Sequence, residues 1–329
     1  MKRILAASLL LTALMLALPR FFMPCDDDAP PAPDKTAAPL GSDQSRSVRL
    51  KSGESVTELS VFDYLVGVVA AEMPASFEPE ALKAQAVAAR SYLQHLIAHP
   101  KHGEADVCAD SACCQAYLDA EQLKSAWGAE HDARLEKIKA AVSGTDGEYL
   151  SYDGQAALCA FHSSSEGATA SSAEIWSDLP YLQSVSSPET ESDVPNFITT
   201  ERLRDLDFRD TVLYLHPEAD MTGEPSAWIG GTRRTDSGRV AAVTIGGVEF
   251  TGSELRTLFS LRSTDFDLSR EDGGFVFTVR GYGHGVGMSQ YGANTLARRG
   301  EDYRAILRHY YPSTFLVTPT AVEGDGAFR

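Results

Sequence analysis

The sequence predicts an α+β fold of mixed, mostly antiparallel β-sheets with packed helices, in a single extracytoplasmic domain behind an N-terminal anchor. Residues 60–99 place apolar side chains at spacings of three and four, which is typical of helices. Further along, short β-rich segments surround turn signals such as Asp153-Gly154 and Gly246-Gly247, which favour hairpins. An apolar run at residues 4–18 indicates the anchor.

Length and composition restrict the class of protein. The 329 residues suffice for one large domain or two ordinary ones, and a hydrophobic content of 43% is typical of a folded globular protein. The formal net charge is −17 at pH 7. Because nucleic-acid binding needs a basic surface, this charge argues against nucleic acid as a partner.

The N-terminal region predicts export. Lys2 and Arg3 precede the charge-free run Ile4 to Leu18, as in a secretory signal or a signal-anchor. No small-x-small cleavage site follows, and residues 21–23 extend the run toward the length of a membrane span. We therefore expect residues 1–23 to be an uncleaved single-pass anchor in the cell membrane, with the rest of the chain outside the cytoplasm.

Three further segments follow the predicted anchor. Residues 24–46 are rich in acid, Pro, Ala and Ser without periodicity, which predicts a disordered tether. Residues 47–320 form the predicted folded domain, and residues 321–329 form a short tail.

One acid has an unusual position. Ser60 can cap a helix with Asp63 three residues on, and Pro74 ends that helix, so Glu72 falls in its last turn. The partial negative charge of a helix carboxyl end and apolar neighbours both raise the pKa of a carboxyl group. Glu72 is therefore a candidate proton donor near neutral pH. The alternative is an ordinary solvated acid at a frayed helix end.

A second helix begins at Pro79, which fits the first helical position. Gln85, Arg90 and Tyr92 interrupt its apolar stripe. Each of these residues alone is more typical of structure than of function.

Three cysteines and one histidine lie close together in the sequence: His102, Cys108, Cys113 and Cys114. These four soft ligands suit a closed tetrahedral zinc site, which would be structural because no position is left for water. Two alternatives stay open, namely disulfides with Cys25 or Cys159, and free thiols.

The remaining chain predicts several elements and one glycine-rich segment. The elements are a helix at residues 121–143, hairpins at 148–161 and 239–250, acidic loops at 188–225, a helix at 252–261, and strands at 263–268 and 274–280. The glycine-rich segment 281–292 lies between a strand and a helix, but its glycine spacing does not fit a dinucleotide-binding motif.

Several phrases occur in one order along residues 47–318. They are Ala70-Ala-Glu-Met-Pro74, Leu82 to Tyr92, Phe161-His-Ser-Ser-Ser165, Trp176 to Val185, Leu258 to Ser263, and Gly283-His-Gly-Val-Gly-Met-Ser-Gln-Tyr-Gly292. Together they resemble the stage II sporulation protein D family, which includes the amidase-enhancer type.

The resemblance implies a lytic transglycosylase that cleaves peptidoglycan glycan strands stripped of their stem peptides during forespore engulfment. It also implies as partners a cell-wall amidase/endopeptidase and membrane engulfment proteins. The catalytic glutamate of the family falls on Glu72, and its zinc ligands fall on His102, Cys108, Cys113 and Cys114. Cys113 stands where a His is usual, and Glu166 stands where a Gly commonly follows the serines.

The predicted substrate-binding residues are Gln85, Arg90, Ser163, Ser165, Tyr181, His284, Gln290 and Tyr291. Two other functions compete with the transglycosylase. One is a non-catalytic glycan-binding enhancer of an amidase. The other is a zinc hydrolase, which the missing His-Glu-x-x-His motif and the closed ligand set disfavour.

Overall fold

A computed structural model of the protein describes residues 37–319 and confirms a mixed fold with mostly antiparallel sheets. The helices, in chain order, are α1 Val61–Glu72, α2 Pro79–Ala98, α3 Ala120–Trp127, α4 His131–Ser143, α5 Ser172–Ile175, α6 Asp205–Leu215, α7 Gly252–Leu258, α8 Gln290–Arg298 and α9 Tyr303–Tyr310. The strands are β1 Ser47–Ser52, β2 Ser55–Ser60, β3 Val107–Cys108, β4 Tyr149–Tyr152, β5 Gln155–Ala156, β6 Phe161–His162, β7 Ile198–Arg204, β8 Ile229–Arg234, β9 Val240–Ile245, β10 Val248–Thr251, β11 Phe266–Glu271, β12 Gly274–Arg280, β13 Met288–Ser289 and β14 Phe315–Val317.

The strands form small sheets. Three of them are antiparallel, with the orders β10-β9-β8, β11-β12-β7 and β14-β4-β5. In a fourth sheet the hairpin β1-β2 carries β3 parallel to β1. The pair β6-β13 is also parallel, with Phe161 opposite Met288. This last pair joins segments more than a hundred residues apart.

Two hydrophobic cores divide the molecule. The helical body, residues 37–187 and 281–319, packs the buried faces of α1 and α2 against α4, α8 and α9. The inserted body, residues 198–280, packs the three-stranded sheets β8–β10 and β7/β11/β12 around Phe208, Phe275 and Phe277. The inserted body thus interrupts the helical body between the serine-rich and glycine-rich segments.

The elements around Glu72 form as predicted. Ser60 Oγ accepts a hydrogen bond from Asp63 N at 3.0 Å and donates to Asp63 Oδ2 at 2.7 Å. Met73 is extended, with φ −120° and ψ 139°, because it precedes Pro74. The two hairpin turns, the helix after residue 252 and the strand 274–280 are also confirmed.

Other predicted elements need correction. The helix predicted at 121–143 is broken at Gly128, whose φ of 52° suits glycine and ends α3. The region 188–225 contains β7 and α6 rather than loops alone. The hairpin predicted at 148–161 has a short second strand, β5, and β6 pairs elsewhere.

The folded domain begins earlier in the chain than the sequence predicted. Residues 1–23 lie outside the described residues, as does the tail. The last part of the predicted tether belongs to the fold, since Asp43 is fully buried and Tyr149 donates a hydrogen bond to the Ala38 carbonyl. The folded domain therefore begins before residue 47.

No helix within residues 37–319 is both long enough and apolar enough to cross a membrane.

Candidate active site

Glu72 ends α1 at the floor of a cleft. Its side chain is half-buried, and Oε1 accepts a hydrogen bond from the backbone N–H of Ala116 at 2.8 Å. Burial raises the pKa of the Glu72 carboxyl group, and the hydrogen bond from the Ala116 N–H offsets part of that rise. The sequence predicted a raised pKa for Glu72 from its position at a helix end and from apolar neighbours. The pKa is raised in the structure, and burial is the largest cause.

The cleft has a volume of about 830 Å³. One side comes from the end of α1 and the turn after it, together with Trp127 and Arg134 of α3 and α4. The other side comes from β6, the glycine-rich segment and one residue of α7. The side chains that face each other across it are Glu72, Trp127, Arg134, Phe161, His162, Ser163, Arg256, Tyr282, His284, Gln290 and Tyr291.

The glycine-rich segment 281–292 forms its side of the cleft by close backbone contact. Gly287 has φ +73°, and a Cβ there would lie 2.0 Å from the Ala160 carbonyl oxygen. Gly283 has φ +113°, and a Cβ there would lie 2.7 Å from the Cβ of His162. Only glycine permits both the backbone angles and this approach to β6. The glycines therefore serve packing, as the failed dinucleotide spacing suggested.

Two histidines in this wall are neutral hydrogen-bonding groups. Val286 N–H donates to His284 Nδ1 at 3.0 Å, so the His284 proton is on Nε2. Burial, followed by the charge of Arg256, lowers the pKa of His284 to about 4. Burial and the neighbouring charge of His284 lower the pKa of His162 well below its usual value. Neither imidazole is charged at pH 7, so neither competes with Glu72 as an acid.

Four of the predicted substrate-binding residues line the same cleft as Glu72: Ser163, His284, Gln290 and Tyr291. The Ser163 carbonyl accepts from Tyr291 N at 3.0 Å, which fixes the serine segment to the start of α8. Tyr291 packs edge-on against Phe77 with ring centroids 4.9 Å apart. The structure brings these four together from positions more than a hundred residues apart.

The other four predicted contacts are buried and do not line the cleft, which corrects that part of the prediction. Arg90 is fully buried and pairs with Asp43, with Nη2 and Oδ2 2.6 Å apart. Gln85 is also fully buried, and its amide atoms have no hydrogen-bond partner among residues 37–319. Both side chains belong to the interior face of α2, which the sequence pattern alone already favoured.

Ser165 and Tyr181 are likewise buried for structural reasons. Ser165 Oγ lies 2.6 Å from His162 Nε2 and accepts from Arg239 Nη2 at 2.9 Å. Tyr181 Oη accepts from the Leu158 N–H at 2.9 Å. These hydroxyls support the wall of the cleft from behind. Glu166, which departs from the family pattern, pairs with Arg280 of the inserted body at 3.0 Å.

Sequence reasoning missed several residues of the cleft. Tyr282 is 48% exposed, and the guanidinium of Arg262 stacks 4.4 Å from its ring centroid. Its place within the glycine-rich segment was a usable signal, since an exposed aromatic among glycines is a suitable platform for a sugar ring. Arg256 and Trp127 lie in ordinary helices and had no such signal.

The predicted metal ligands come together in space. The ligand atoms of His102, Cys108, Cys113 and Cys114 all lie within 4.8 Å of one another. His102 Nε2 is 3.2 Å from Cys114 Sγ and 3.5 Å from Cys113 Sγ. One imidazole and three thiols at these separations fit a closed tetrahedral zinc site. Cys159 is a free thiol, so the disulfide alternative through it is wrong, and Cys25 lies outside the described residues.

The loop that carries this cluster also contacts the acid. Two residues beyond Cys114, the Ala116 N–H bonds Glu72. Gln115 Nε2 donates to Tyr64 Oη at 3.2 Å, and Leu118 N donates to the Gly67 carbonyl at 3.3 Å. The ligand cluster is therefore tied to α1 along the length of the helix that ends in Glu72.

Known proteins resemble the chain over most of its length. The family model described as "Stage II sporulation protein" matches residues 50–152. Stage II sporulation protein D of Bacillus amyloliquefaciens is 37% identical over 266 residues, which cover 79% of this chain and 75% of that protein. The chain belongs to the stage II sporulation protein D family.

Further relatives agree with this assignment. Stage II sporulation protein D of Bacillus subtilis is 36% identical over 267 residues, covering 80% of this chain and 76% of that protein. The protein named "Amidase enhancer" from Bacillus subtilis is 30% identical, and the match covers 77% of this chain and 40% of that larger protein. The chain thus belongs to a sporulation family, and one of the relatives that it matches is named "Amidase enhancer".

The cleft of this family member offers one group for acid–base chemistry. Among the described residues that line it, Glu72 is the only carboxylic acid. Ordinary glycosidases need two carboxyl groups across the scissile bond. A single protonatable carboxyl that first gives and then takes a proton is what an internal displacement within the substrate requires.

Proposed function

We propose that the protein is a lytic transglycosylase that cleaves the bond between N-acetylmuramic acid and N-acetylglucosamine in glycan strands without stem peptides. The observation that supports this most is that, within residues 37–319, Glu72 is the one carboxylic acid that lines a cleft of aromatic and hydroxyl side chains. Its raised pKa favours the protonated form that donates to a leaving oxygen.

The reaction follows from this single acid. Protonated Glu72 gives its proton to the glycosidic oxygen as the bond from C1 of the muramic residue breaks. The resulting carboxylate takes the proton of the muramic 6-hydroxyl while that oxygen forms a new bond to C1. The products are a 1,6-anhydro end and a free 4-hydroxyl, and no water is consumed. The Ala116 N–H holds the carboxyl group in place through both steps.

The test is the Glu72→Gln variant with denuded glycan strands as substrate. We expect the wild-type protein to release 1,6-anhydro ends, identified by mass spectrometry, and Glu72→Gln to lose this release while still binding the strands. Glu166→Gln is the matched control, because it removes an exposed carboxylate that pairs with Arg280 instead of facing the cleft. Equal product release by wild type and Glu72→Gln would exclude Glu72 as the acid.

A second candidate function is a non-catalytic module that binds glycan and stimulates an amidase. The relative named "Amidase enhancer" is the observation that favours it. Under this function, Glu72→Gln would stimulate a purified cell-wall amidase as well as the wild type does, and neither protein would release anhydro ends.

We propose zinc as the ion of the four-ligand cluster. Bound there, zinc would neutralise the thiolates and fix the loop, since His102, Cys108, Cys113 and Cys114 together complete its coordination. We expect metal analysis to find about one zinc per wild-type chain. Cys113→Ser should lower zinc content and melting temperature, whereas Cys159→Ala, outside the cluster, should retain the metal. Zinc content unchanged in Cys113→Ser would remove Cys113 from the ligand set.

We also propose that residues 1–23 anchor the protein in the cell membrane with the folded domain outside the cytoplasm, beside an amidase or endopeptidase partner. The basic start and apolar run support the anchor. Protease added to intact protoplasts should digest the folded domain. Protection of the domain would place it in the cytoplasm and exclude this arrangement.

A further inference from the structure

Arg256 is a charged residue of the cleft without a protein partner. It lies near the end of α7 in the inserted body, half-buried, and lines the cleft. Among residues 37–319 its guanidinium has no ion pair and no hydrogen bond. The other arginine of the cleft, Arg134, pairs with Glu130, and nearby Arg262 donates to the Asn196 carbonyl at 3.0 Å.

This lack of a partner is unusual for the position. Burial lowers the pKa of Arg256, which means that the charge is partly desolvated. A desolvated cation without a counter-ion lowers stability. The chain contains 46 acidic residues that could have supplied one. An arginine in a cleft without a protein counter-ion is explained if the ligand of the cleft carries the negative charge that pairs with it.

The position of Arg256 within the cleft is set by its neighbours. Arg256 lines the cleft together with His162, His284 and Tyr282, and its charge helps to lower the pKa of both histidines. Tyr282 is exposed and offers a flat surface for a sugar ring. An anion bound by Arg256 would therefore belong to a ligand that lies along this part of the cleft.

The proposed substrate carries one suitable anion. Its sugars are neutral except for the lactyl ether of muramic acid, which ends in a free carboxylate when the stem peptide is absent and in a neutral amide when it is present. A guanidinium can form two parallel hydrogen bonds with a carboxylate, and an amide cannot replace that ion pair.

We propose that Arg256 binds the lactyl carboxylate of a muramic residue and thereby makes the cleft select strands without stem peptides. This inference rests on the proposed function, since it takes glycan as the ligand. Arg256 is a specificity-determining residue in this account and takes no part in proton transfer.

The test compares two forms of the same denuded strands: one with free lactyl carboxylates, and one in which these are converted to neutral methylamides. Binding is measured with full-length Glu72→Gln, which cannot turn over the ligand, and with the double variant Glu72→Gln/Arg256→Gln. We expect amidation to weaken binding to Glu72→Gln about tenfold or more, the effect of losing a charged hydrogen bond. The double variant should bind both forms equally and weakly.

Two controls make the result specific. Arg209→Gln changes the net charge equally, at an exposed pair with Asp210 outside the cleft, and should keep the full preference for the carboxylate form. Arg256→Lys keeps the charge and should keep part of the preference. Arg256→Gln should melt no lower than wild type, because no protein partner is lost.

The outcomes separate this inference from the proposed function. A double variant that still prefers the carboxylate form, or a Glu72→Gln protein that does not distinguish the two forms, overturns the role of Arg256. Absence of anhydro products from wild type overturns the lytic activity alone, provided that the carboxylate preference and its dependence on Arg256 are still seen.

Discussion

The helical body and the inserted body place their charges in opposite ways. In the helical body, Arg90 and Asp43 form a fully buried pair, and Arg90 Nη1 also donates to the Glu148 carbonyl at 2.9 Å. In the inserted body no ion pair among the described residues is fully buried: Arg204–Asp207 is exposed and Arg280–Asp265 is partly buried. The core of this body is a stack of aromatic rings. The difference matches their roles, because the body that holds the acid is fixed by directional polar contacts.

The inserted body contributes little of its own to acid–base chemistry. Its contribution to the cleft is a half-buried cation, Arg256, and the strand β12, which leads into the exposed ring of Tyr282. Glu72 and Arg256 therefore come from different bodies. Four predictions test this contrast, from the largest expected effect to the smallest.

Arg90→Ala leaves Asp43 as a buried carboxylate whose remaining cationic neighbour is Arg46, with Nη1 4.0 Å from Oδ1. We expect a loss of about 3–5 kcal/mol in the free energy of unfolding, which urea denaturation would measure. Arg204→Ala, which removes an arginine from an exposed pair of the inserted body, should produce no measurable change. Similar losses in the two variants would contradict the contrast between the bodies.

Gly287→Ala places a Cβ against the Ala160 carbonyl at a left-handed backbone position, and we expect it to cost about 2–4 kcal/mol in unfolding free energy. Gly273→Ala, in the inserted body, has a similar φ of +78° but open space around the added atom. Its cost should be about 1 kcal/mol, from the backbone alone. Equal losses of unfolding free energy in the two variants would show that the backbone around Gly287 and Ala160 moves to accommodate the added Cβ.

Glu72→Gln tests the raised pKa by its effect on stability. Because the folded pKa of Glu72 lies above its unfolded value, the folded state holds the proton more tightly, and stability falls as pH rises through that window. We expect Glu72→Gln to be more stable than wild type at pH 7 and equally stable below about pH 4. The measurement is the unfolding midpoint against pH. If Glu72→Gln were less stable than wild type at pH 7, the folded protein would stabilise the ionised carboxylate, and the pKa of Glu72 would not be raised.

Glu166→Gln weakens a half-exposed contact between the two bodies. Its pair with Arg280 should contribute less than about 1 kcal/mol, because surface ion pairs are screened and cost side-chain freedom. A double-mutant cycle of Glu166→Gln with Arg280→Gln gives the coupling energy directly. A coupling energy of several kcal/mol would contradict this expectation and would show that the Glu166–Arg280 pair stabilises the contact between the two bodies.

The sequence was informative where signals were local. The cap at Ser60 and the stop at Pro74 predicted the ends of α1 correctly, and the four predicted metal ligands, which lie within thirteen residues, come together in space. The pair of Arg90 with Asp43 could not be predicted, because its members are 47 residues apart and Asp43 lies in a stretch with the composition of a tether. The strand β7 was missed because most of its residues are exposed, which removes the alternation that marks strands.

Arg256 shows a different limit of prediction. On α7 it is an ordinary arginine in the last turn of a capped helix. Its proposed role depends on the lack of an ion pair or hydrogen bond to its guanidinium within residues 37–319, and no local sequence pattern records such a lack.

The cleft also has a consequence for the order of folding. Glu78 N donates to Asn294 Oδ1, and Tyr303 N donates to Glu80 Oε2, across 216 and 223 residues. Such long sequence separations slow folding and make these contacts form late. A chain made from its N-terminus therefore contains Glu72 early, yet has no opposite wall until residues 281–310 fold back onto α2. Both sides of the cleft are therefore present only once the last part of the folded domain has been made.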